Sequence, residues 1–177
     1  FRQLTEFEPK RAKQYGIQGV KGDTFRKVSL KGLPRAGVLT QASILALTSN
    51  PTRTSPVKRG KWILENLLNS PPPPPPANVP PLEENPASGR KLTTREKVEK
   101  HRNNPACASC HARIDGLGFA LENFDVIGRW RTHDDGGQID PSGTLANGAS
   151  FSGPQGLKNL LTQDPEPFVR GTVEKLM

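Results

Sequence analysis

The sequence predicts a mainly α-helical protein with long irregular segments. Several short stretches place apolar residues at helical spacing. The chain holds 17 glycines and 18 prolines among 177 residues, of which only 33% are hydrophobic, so we expect a modest core with many turns. No run of about 18 apolar residues occurs, and we therefore expect no transmembrane segment in this chain.

Residues 1–35 are expected to form an extended arm that is rich in loops. Short apolar runs alternate there with glycines, and no amphipathic period persists. The spacing of Phe25, Val28 and Leu30 allows a short strand or hairpin within this arm. The arm is therefore predicted to contribute little regular structure.

Residues 36–69 are expected to form a helical pair. The stretch "VLTQASILALTS" places apolar residues at near-helical spacing and predicts a first helix over 38–48. The second helix is predicted from "TRTSPVKRGKWILENLLN". In that stretch Thr54 or Ser55 can cap the helix, and Pro56 lies in its first turn.

A linker is predicted at residues 70–89, because six consecutive prolines favour a stiff polyproline II rod. The region after it, residues 90–177, begins with "LTTREKVEKHRNN", a charged helix that Thr93 or Thr94 can cap. Further along, Asp135-Gly136 is a plausible hairpin apex. The stretches "GPQGLKNLL" and "PEPFVRGTVEKLM" predict two short helices near the end.

The positive charge of the chain is concentrated in its first part. Residues 1–70 hold 13 lysines and arginines against 4 acidic residues, whereas residues 71–177 hold 12 against 13. The basic residues come singly among turns, without the interleaved aromatic residues that are typical of nucleic-acid binding. We therefore expect no nucleic-acid partner, and interpret the charge as a solvated face or a docking surface for an acidic partner.

The stretch "NNPACASCHARID", residues 103–115, contains Cys107 and Cys110, which are the two cysteines of the chain, followed directly by His111. A disulfide between cysteines three positions apart is strained and labile, and one bridge adds little to a chain of this length. A thioredoxin-like redox pair needs a preceding strand in a βαβ context, whereas a charged helix and Asn-Asn-Pro come first here. The surrounding sequence disfavours both interpretations.

Metal binding is the other explanation for these residues. Zinc can be bound by Cys107, Cys110, His111 and His101, but adjacent residues rarely both reach one tetrahedral ion. Covalent attachment of haem c needs two thiols on a single turn and an imidazole directly after them as an axial ligand. The C-x-x-C-H spacing meets each requirement. We therefore expect haem c as the cofactor, and interpret residues 90–177 as a small c-type cytochrome-like helical haem domain.

The residues after the motif suit the surroundings of a haem. A haem buries a large flat apolar face, and we predict that Phe119, Phe124 and Trp130 form one wall of its site. Ordinary core packing is the simpler explanation for any single one of them. The propionates require cationic partners. The arginines that can pair with the propionates are Arg113, Arg129 and Arg131.

The segments "RAGVLTQASILALTSNPTRTSPVKRGKWILENLL", "HRNNPACASCHARIDGLGFALENFDVIGRWR" and "FVRGTVEKL", with the proline tract, resemble the planctomycete-type cytochrome c modules. These modules are the C-terminal part of large exported proteins, catalogued largely as domains of unknown function. The resemblance covers about residues 10–177 and implies haem c at the C-x-x-C-H motif, without a substrate or reaction. The family commonly has methionine and Asp-Pro where this chain has Ile114, Asp115 and Gly116, and often a cysteine at Gly171. The methionine of the family is therefore not expected as an iron ligand in this chain, which has Ile114 at that position.

The second axial ligand of the iron has three conventional candidates in this sequence. His101 ranks first, because it lies close to the attachment motif and belongs to the resembling segment. His133 precedes a turn, and Met177 is the last residue, at a position that an ordinary apolar helix residue also explains. An open site, or a ligand from another chain, is the remaining alternative.

Two strong axial ligands are typical of electron carriers, whereas a vacant position permits peroxide or gas chemistry. We expect electron transfer, as a subunit or fragment of a larger assembly, with a redox protein or other subunits as partners. Haem c attachment normally occurs outside the cytoplasm, which favours a periplasmic or exported location. The alternatives are a peroxidase-like or gas-binding haem domain, and a structural module in which the haem holds a small core together.

Overall fold

A computed structural model describes residues 4–75 apart from 8, 23 and 36, residues 79 and 82, and residues 89–177 apart from 146. The predicted mainly α-helical class is confirmed, since 45% of the described residues are helical. The helices are α1 Pro9–Gln14, α2 Ala42–Leu47, α3 Pro56–Asn66, α4 Thr94–Arg102, α5 Pro105–Phe119, α6 Gly153–Gln163 and α7 Glu166–Leu176, with a 3-10 helix at Val38–Thr40. The strands are β1 Leu4–Phe7, β2 Arg26–Ser29, β3 His133–Asp134, β4 Gly137–Gln138, β5 Ser142–Thr144 and β6 Ser150–Ser152.

The strands form three separate antiparallel pairs, β1 with β2, β3 with β4 and β5 with β6. The second pair turns at Asp135-Gly136, as the sequence predicts. Close packing also requires glycine there, because a Cβ on Gly136 would lie 2.0 Å from the backbone nitrogen of Thr93. This contact places the β3–β4 hairpin against the start of α4.

The N-terminal segment has more structure than the extended arm that the sequence predicts. It contains α1 between β1 and β2, and a small core of its own around Ala12 and Leu30. The buried Arg35 connects this segment to the rest of the chain. Its guanidinium lies 4.4 Å from the centre of the Tyr15 ring and 4.8 Å from that of Phe124. These long-range contacts, which no local pattern reveals, order the segment.

The main core forms where α3 packs on α5, through two glycines. A Cβ on Gly118 would lie 1.9 Å from the carbonyl oxygen of Pro56, and one on Gly60 would lie 2.0 Å from that of Ile114. The backbones therefore approach more closely than any larger residue permits. The fully buried members of this core are Leu45, Ile63, Leu117, Ala120, Phe124 and Leu157.

Replacing Gly118 with alanine is expected to lower the free energy of unfolding by about 1–3 kcal/mol, because the added methyl group overlaps the backbone of α3. Alanine otherwise stabilises helix interiors by roughly 0.5–1 kcal/mol relative to glycine. Gly156 in α6 is the matched control, since a Cβ there meets its nearest neighbour at 3.4 Å. Urea denaturation measures both variants. Equal effects at the two positions would contradict the close packing of α3 on α5.

The helix starts agree with the predicted caps. Ser55 caps α3 by accepting a hydrogen bond from the backbone N–H of Lys58. Thr93 caps α4 in a reciprocal capping box with Glu96. The Arg90 guanidinium and the Thr93 backbone N–H hold the pKa of Glu96 at about 2, well below its usual value. The capping box fixes the start of α4, and the last turn of this helix carries His101.

The predicted linker falls mostly outside the described residues. Residues 71–75, the first prolines of the tract, form neither helix nor strand, while 76–78, 80–81 and 83–88 are not described. The core combines side chains from before and after this tract, such as Ile63 and Leu117. The division into domains at residues 36, 70 and 90 stays a prediction. None of the described helices is long and apolar enough to cross a membrane.

Candidate functional site

The C-x-x-C-H motif lies on the first two turns of α5, which begins at Pro105. Positions separated by three and four residues share one face of a helix. Cys107, Cys110 and His111 therefore point to the same side. The cysteines are free thiols, and all three side chains are half-buried. Cys110 also packs against the main core, so the motif lies at the edge of an apolar interior.

His111 is held by a carboxylate one turn further along α5. Its Nδ1 lies 2.9 Å from Oδ1 of Asp115, whose side chain is only 1% exposed. The other carboxylate oxygen, Oδ2, is buried and has no hydrogen-bond partner among the residues that the structure describes. Because Nδ1 of His111 is engaged, Nε2 is the ring nitrogen that can bind a metal.

His101, on the last turn of α4, contacts His111. The centres of the two imidazole rings are 5.2 Å apart, with 58° between the ring planes. The structure thus brings together the two histidines that the sequence predicts as metal ligands. The other two candidates lie at the surface: His133 is exposed on β3 and its Nδ1 is 3.0 Å from the hydroxyl of Thr132, and Met177 is 95% exposed.

The aromatic residues predicted to form a haem wall are engaged elsewhere. Phe119 is buried beneath the guanidinium of Arg95, at 4.0 Å from its ring centre. Phe124 is fully buried and meets the half-exposed Trp130 edge-on, with ring centres 5.3 Å apart. None of these contacts involves the three motif residues. Core packing explains Phe124, whereas Phe119 lines the cleft between α4, α5 and the β5–β6 pair. The predicted role of these residues beside a haem stays a prediction.

The arginines predicted to pair with propionates lie in three different environments. Arg129 is exposed, and its backbone N–H donates to Asp125. The Arg113 guanidinium donates to the hydroxyl of Ser70 at 2.8 Å. Arg131 is partly buried, and its guanidinium already bonds to Glu122. Of the three arginines, Arg131 is the one that forms an ion pair with a buried carboxylate, that of Glu122.

A buried ionic network lies where α3 meets the segment that follows α5. The Arg59 side chain, with 0% exposure, donates to a carboxylate oxygen of Glu122 at 3.0 Å. It also donates to the carbonyl oxygens of Leu121 and Phe124 at 2.7 and 2.9 Å. Burial raises the pKa of Glu122, while Arg59, Thr54 and Arg131 favour its charged form. Since arginine stays protonated in proteins, Glu122 is its counter-charge.

Comparison with known protein families matches residues 35–134 to PSCyt3, described as a protein of unknown function (DUF1588). The match spans more than half of the 177 residues. The chain belongs to the PSCyt3 family. The family name points to a cytochrome-like domain, and the match lies inside the range 10–177 of the resemblance noted above. Neither a curated protein nor a solved structure gave a match.

Within the PSCyt3 region the structure adds Asp115 to the candidate site, whereas the resemblance marks it only as a family position. The structure also pairs Arg59 with Glu122 in the interior, which the sequence analysis does not predict. A signal was present, since Glu122 interrupts the apolar run "GFALENF" and a charged residue in such a run is rarely buried without a partner. The sequence does not predict that Arg59 is the partner of Glu122, because Arg59 lies 63 residues earlier.

A cleft of about 530 Å³ lies within and beside the PSCyt3 region, between α4, α5 and the β5–β6 pair. Its lining includes Arg102, next to His101 in sequence, and Gly116 on α5. Arg102 is half-buried and adds a cation to this side of the site. Among the described residues, no group of three or more His, Cys, Asp or Glu side chains is placed to hold a metal ion.

Proposed function

We propose that this chain binds haem c covalently through Cys107 and Cys110, uses His111 as an axial ligand of the iron, and transfers electrons. The observation that carries the proposal is the placement of the three side chains on one face of α5, with Nδ1 of His111 already engaged by Asp115. The donor set fits the group: two free thiols, an imidazole with Nε2 available, and a second imidazole in contact with it.

The role of the thiols follows from their position. Cys107 and Cys110 would hold the haem through thioether bonds to its two vinyl groups. Addition of each S–H across a vinyl group would form these bonds without an oxidant or reductant. When bound, the haem supplies a one-electron redox centre. The core beside Cys110 excludes water from one side of the site, which limits the rearrangement that accompanies electron transfer.

In this proposal His101 would be the second protein ligand of the iron. Its ring contacts that of His111, and binding of a haem by both imidazoles would require this contact to open. The segment after His101 can accommodate this change, because α4 ends at Arg102 and residues 103 and 104 form a turn before α5 begins. Two imidazole ligands favour electron transfer over ligand binding at the iron.

The proposal extends to the setting of the protein. Arg102, which lines the cleft beside α5, provides a positive charge for a propionate in addition to Arg129. Covalent haem attachment implies an extracytoplasmic location, and the excess of basic residues over 1–70 suits a redox partner or subunit with an acidic surface. The domain that carries the haem comprises residues 90–177, preceded by the helical pair at 36–69.

The test of this proposal is expression together with a haem c attachment system, followed by a denaturing gel that is stained for haem. The wild-type chain is expected to retain haem after denaturation, and the double variant Cys107→Ala/Cys110→Ala to lose it. Ser109→Ala is the matched control, because Ser109 is exposed between the two cysteines. A pyridine haemochrome spectrum measures the same bonds. A wild-type chain without covalent haem, or a double variant that retains it, refutes the proposal.

A further inference from the structure

Asp115 is a buried carboxylate that the attachment motif does not account for. It lies one turn after His111 on α5, is 1% exposed, and uses only Oδ1 in its contact with Nδ1 of His111. Its Oδ2 has no partner among the described residues. A buried carboxylate with an unpartnered oxygen is unfavourable unless positive charge lies nearby. A cation bound at Nε2 of His111 would supply such a charge.

We propose that Asp115 is a positioning residue, whose carboxylate accepts a hydrogen bond from Nδ1–H of His111 and so presents Nε2 as the metal-binding atom. A neutral imidazole carries one proton, and a carboxylate that holds it on Nδ1 leaves the lone pair on Nε2. The i, i+4 spacing keeps both groups on one face of α5. This proposal rests on the proposed function, because it assigns Asp115 to the ligand of that same haem.

The carboxylate also sets the reduction potential of the iron. A carboxylate partner raises the basicity of a ligating imidazole, and a more basic ligand stabilises the oxidised iron more than the reduced iron. The buried charge of Asp115 acts in the same direction, since reduction removes positive charge from the centre that it stabilises. Asp115 therefore lowers the potential relative to a variant with a neutral group in its place.

The first experiment is a redox titration of the haem-loaded Asp115→Asn variant. Asparagine has nearly the same shape and its side-chain oxygen still accepts the Nδ1–H hydrogen bond, while the charge is removed. At a given solution potential, the ratio of oxidised to reduced protein is expected to fall at least tenfold. This corresponds to a rise in the reduction potential of at least 59 mV for a one-electron couple. Asp164→Asn is the control, because Asp164 is exposed after α6. Equal potentials in the wild type and Asp115→Asn overturn the proposal.

A second measurement works without haem and covers the case in which a variant does not load. In the chain produced without haem attachment, the ¹⁵N shifts of the His111 ring show which nitrogen carries the proton. The wild type is expected to have it on Nδ1, and Asp115→Ala to lose this preference. A proton on Nε2 in the wild type overturns the proposal. Absence of covalent haem in the wild type overturns the proposed function, while the tautomer still tests the contact between Asp115 and His111.

Discussion

The Glu122→Gln variant is expected to lose about 3–5 kcal/mol of unfolding free energy, the usual effect of removing one partner from a buried ion pair. Glu122 is 3% exposed, and it accepts from Arg59 at 3.0 Å, Thr54 at 2.6 Å and Arg131 at 3.2 Å. The substitution leaves the charge of the buried Arg59 without its carboxylate partner. It also replaces an acceptor oxygen with an NH₂ group that faces donors.

The exposed pair Glu166–Arg170 on α7 provides the matched control. Both side chains are 63% exposed, so Glu166→Gln is expected to change the unfolding free energy by less than about 0.5 kcal/mol. Urea denaturation followed by circular dichroism measures the two glutamate variants under the same conditions. If Glu122→Gln behaves like Glu166→Gln, the buried network contributes nothing to stability.

The His101→Ala variant is expected to bind carbon monoxide at least tenfold more tightly than the wild type in the reduced, haem-loaded state, a difference of about 1.4 kcal/mol. An internal ligand competes for the iron, so the apparent affinity of an external ligand falls with the fraction of open sites. Removal of His101 opens that position. The shift of the reduced absorption bands on addition of carbon monoxide is the measurement.

His133→Ala is the control for this experiment, because His133 is exposed on β3 and contacts Thr132. It is expected to behave as the wild type does. Tight carbon monoxide binding by the wild type itself would show that the iron is open. That outcome would refute the ligand role of His101 and favour the alternative of a haem enzyme or gas-binding domain over an electron carrier.

Much of the fold was predictable because its signals are local. The caps were predicted to one of two neighbouring residues each, and the structure selects Ser55 over Thr54 and Thr93 over Thr94, while the turn at Asp135-Gly136 lies where it was predicted. The helix predicted over 38–48 occurs as a 3-10 helix followed by α2. The N-terminal segment was less predictable, since its order depends on Arg35, whose stacking partner Phe124 is remote in sequence.

The candidate site likewise has one part that local sequence predicts and one part that depends on tertiary packing. The spacing of Cys107, Cys110 and His111 determines by itself that the three side chains share a face once the segment is helical, because helical geometry repeats every 3.6 residues. The contact of His101 with His111 depends on how α4 packs against α5 across the turn at 103–104. Nothing in the spacing of these two histidines establishes that their rings meet.

The sequence by itself determined the helical class, the approximate helix starts and the C-x-x-C-H spacing, because each depends on interactions within about one helical turn. Only the tertiary structure decided that Asp115 is buried beside His111 and that Glu122 meets Arg59. The physical reason is that burial depends on how segments pack, as where α5 approaches α3 through Gly60 and Gly118. A close approach of two backbones depends on both segments, so the sequence of either segment alone does not predict it.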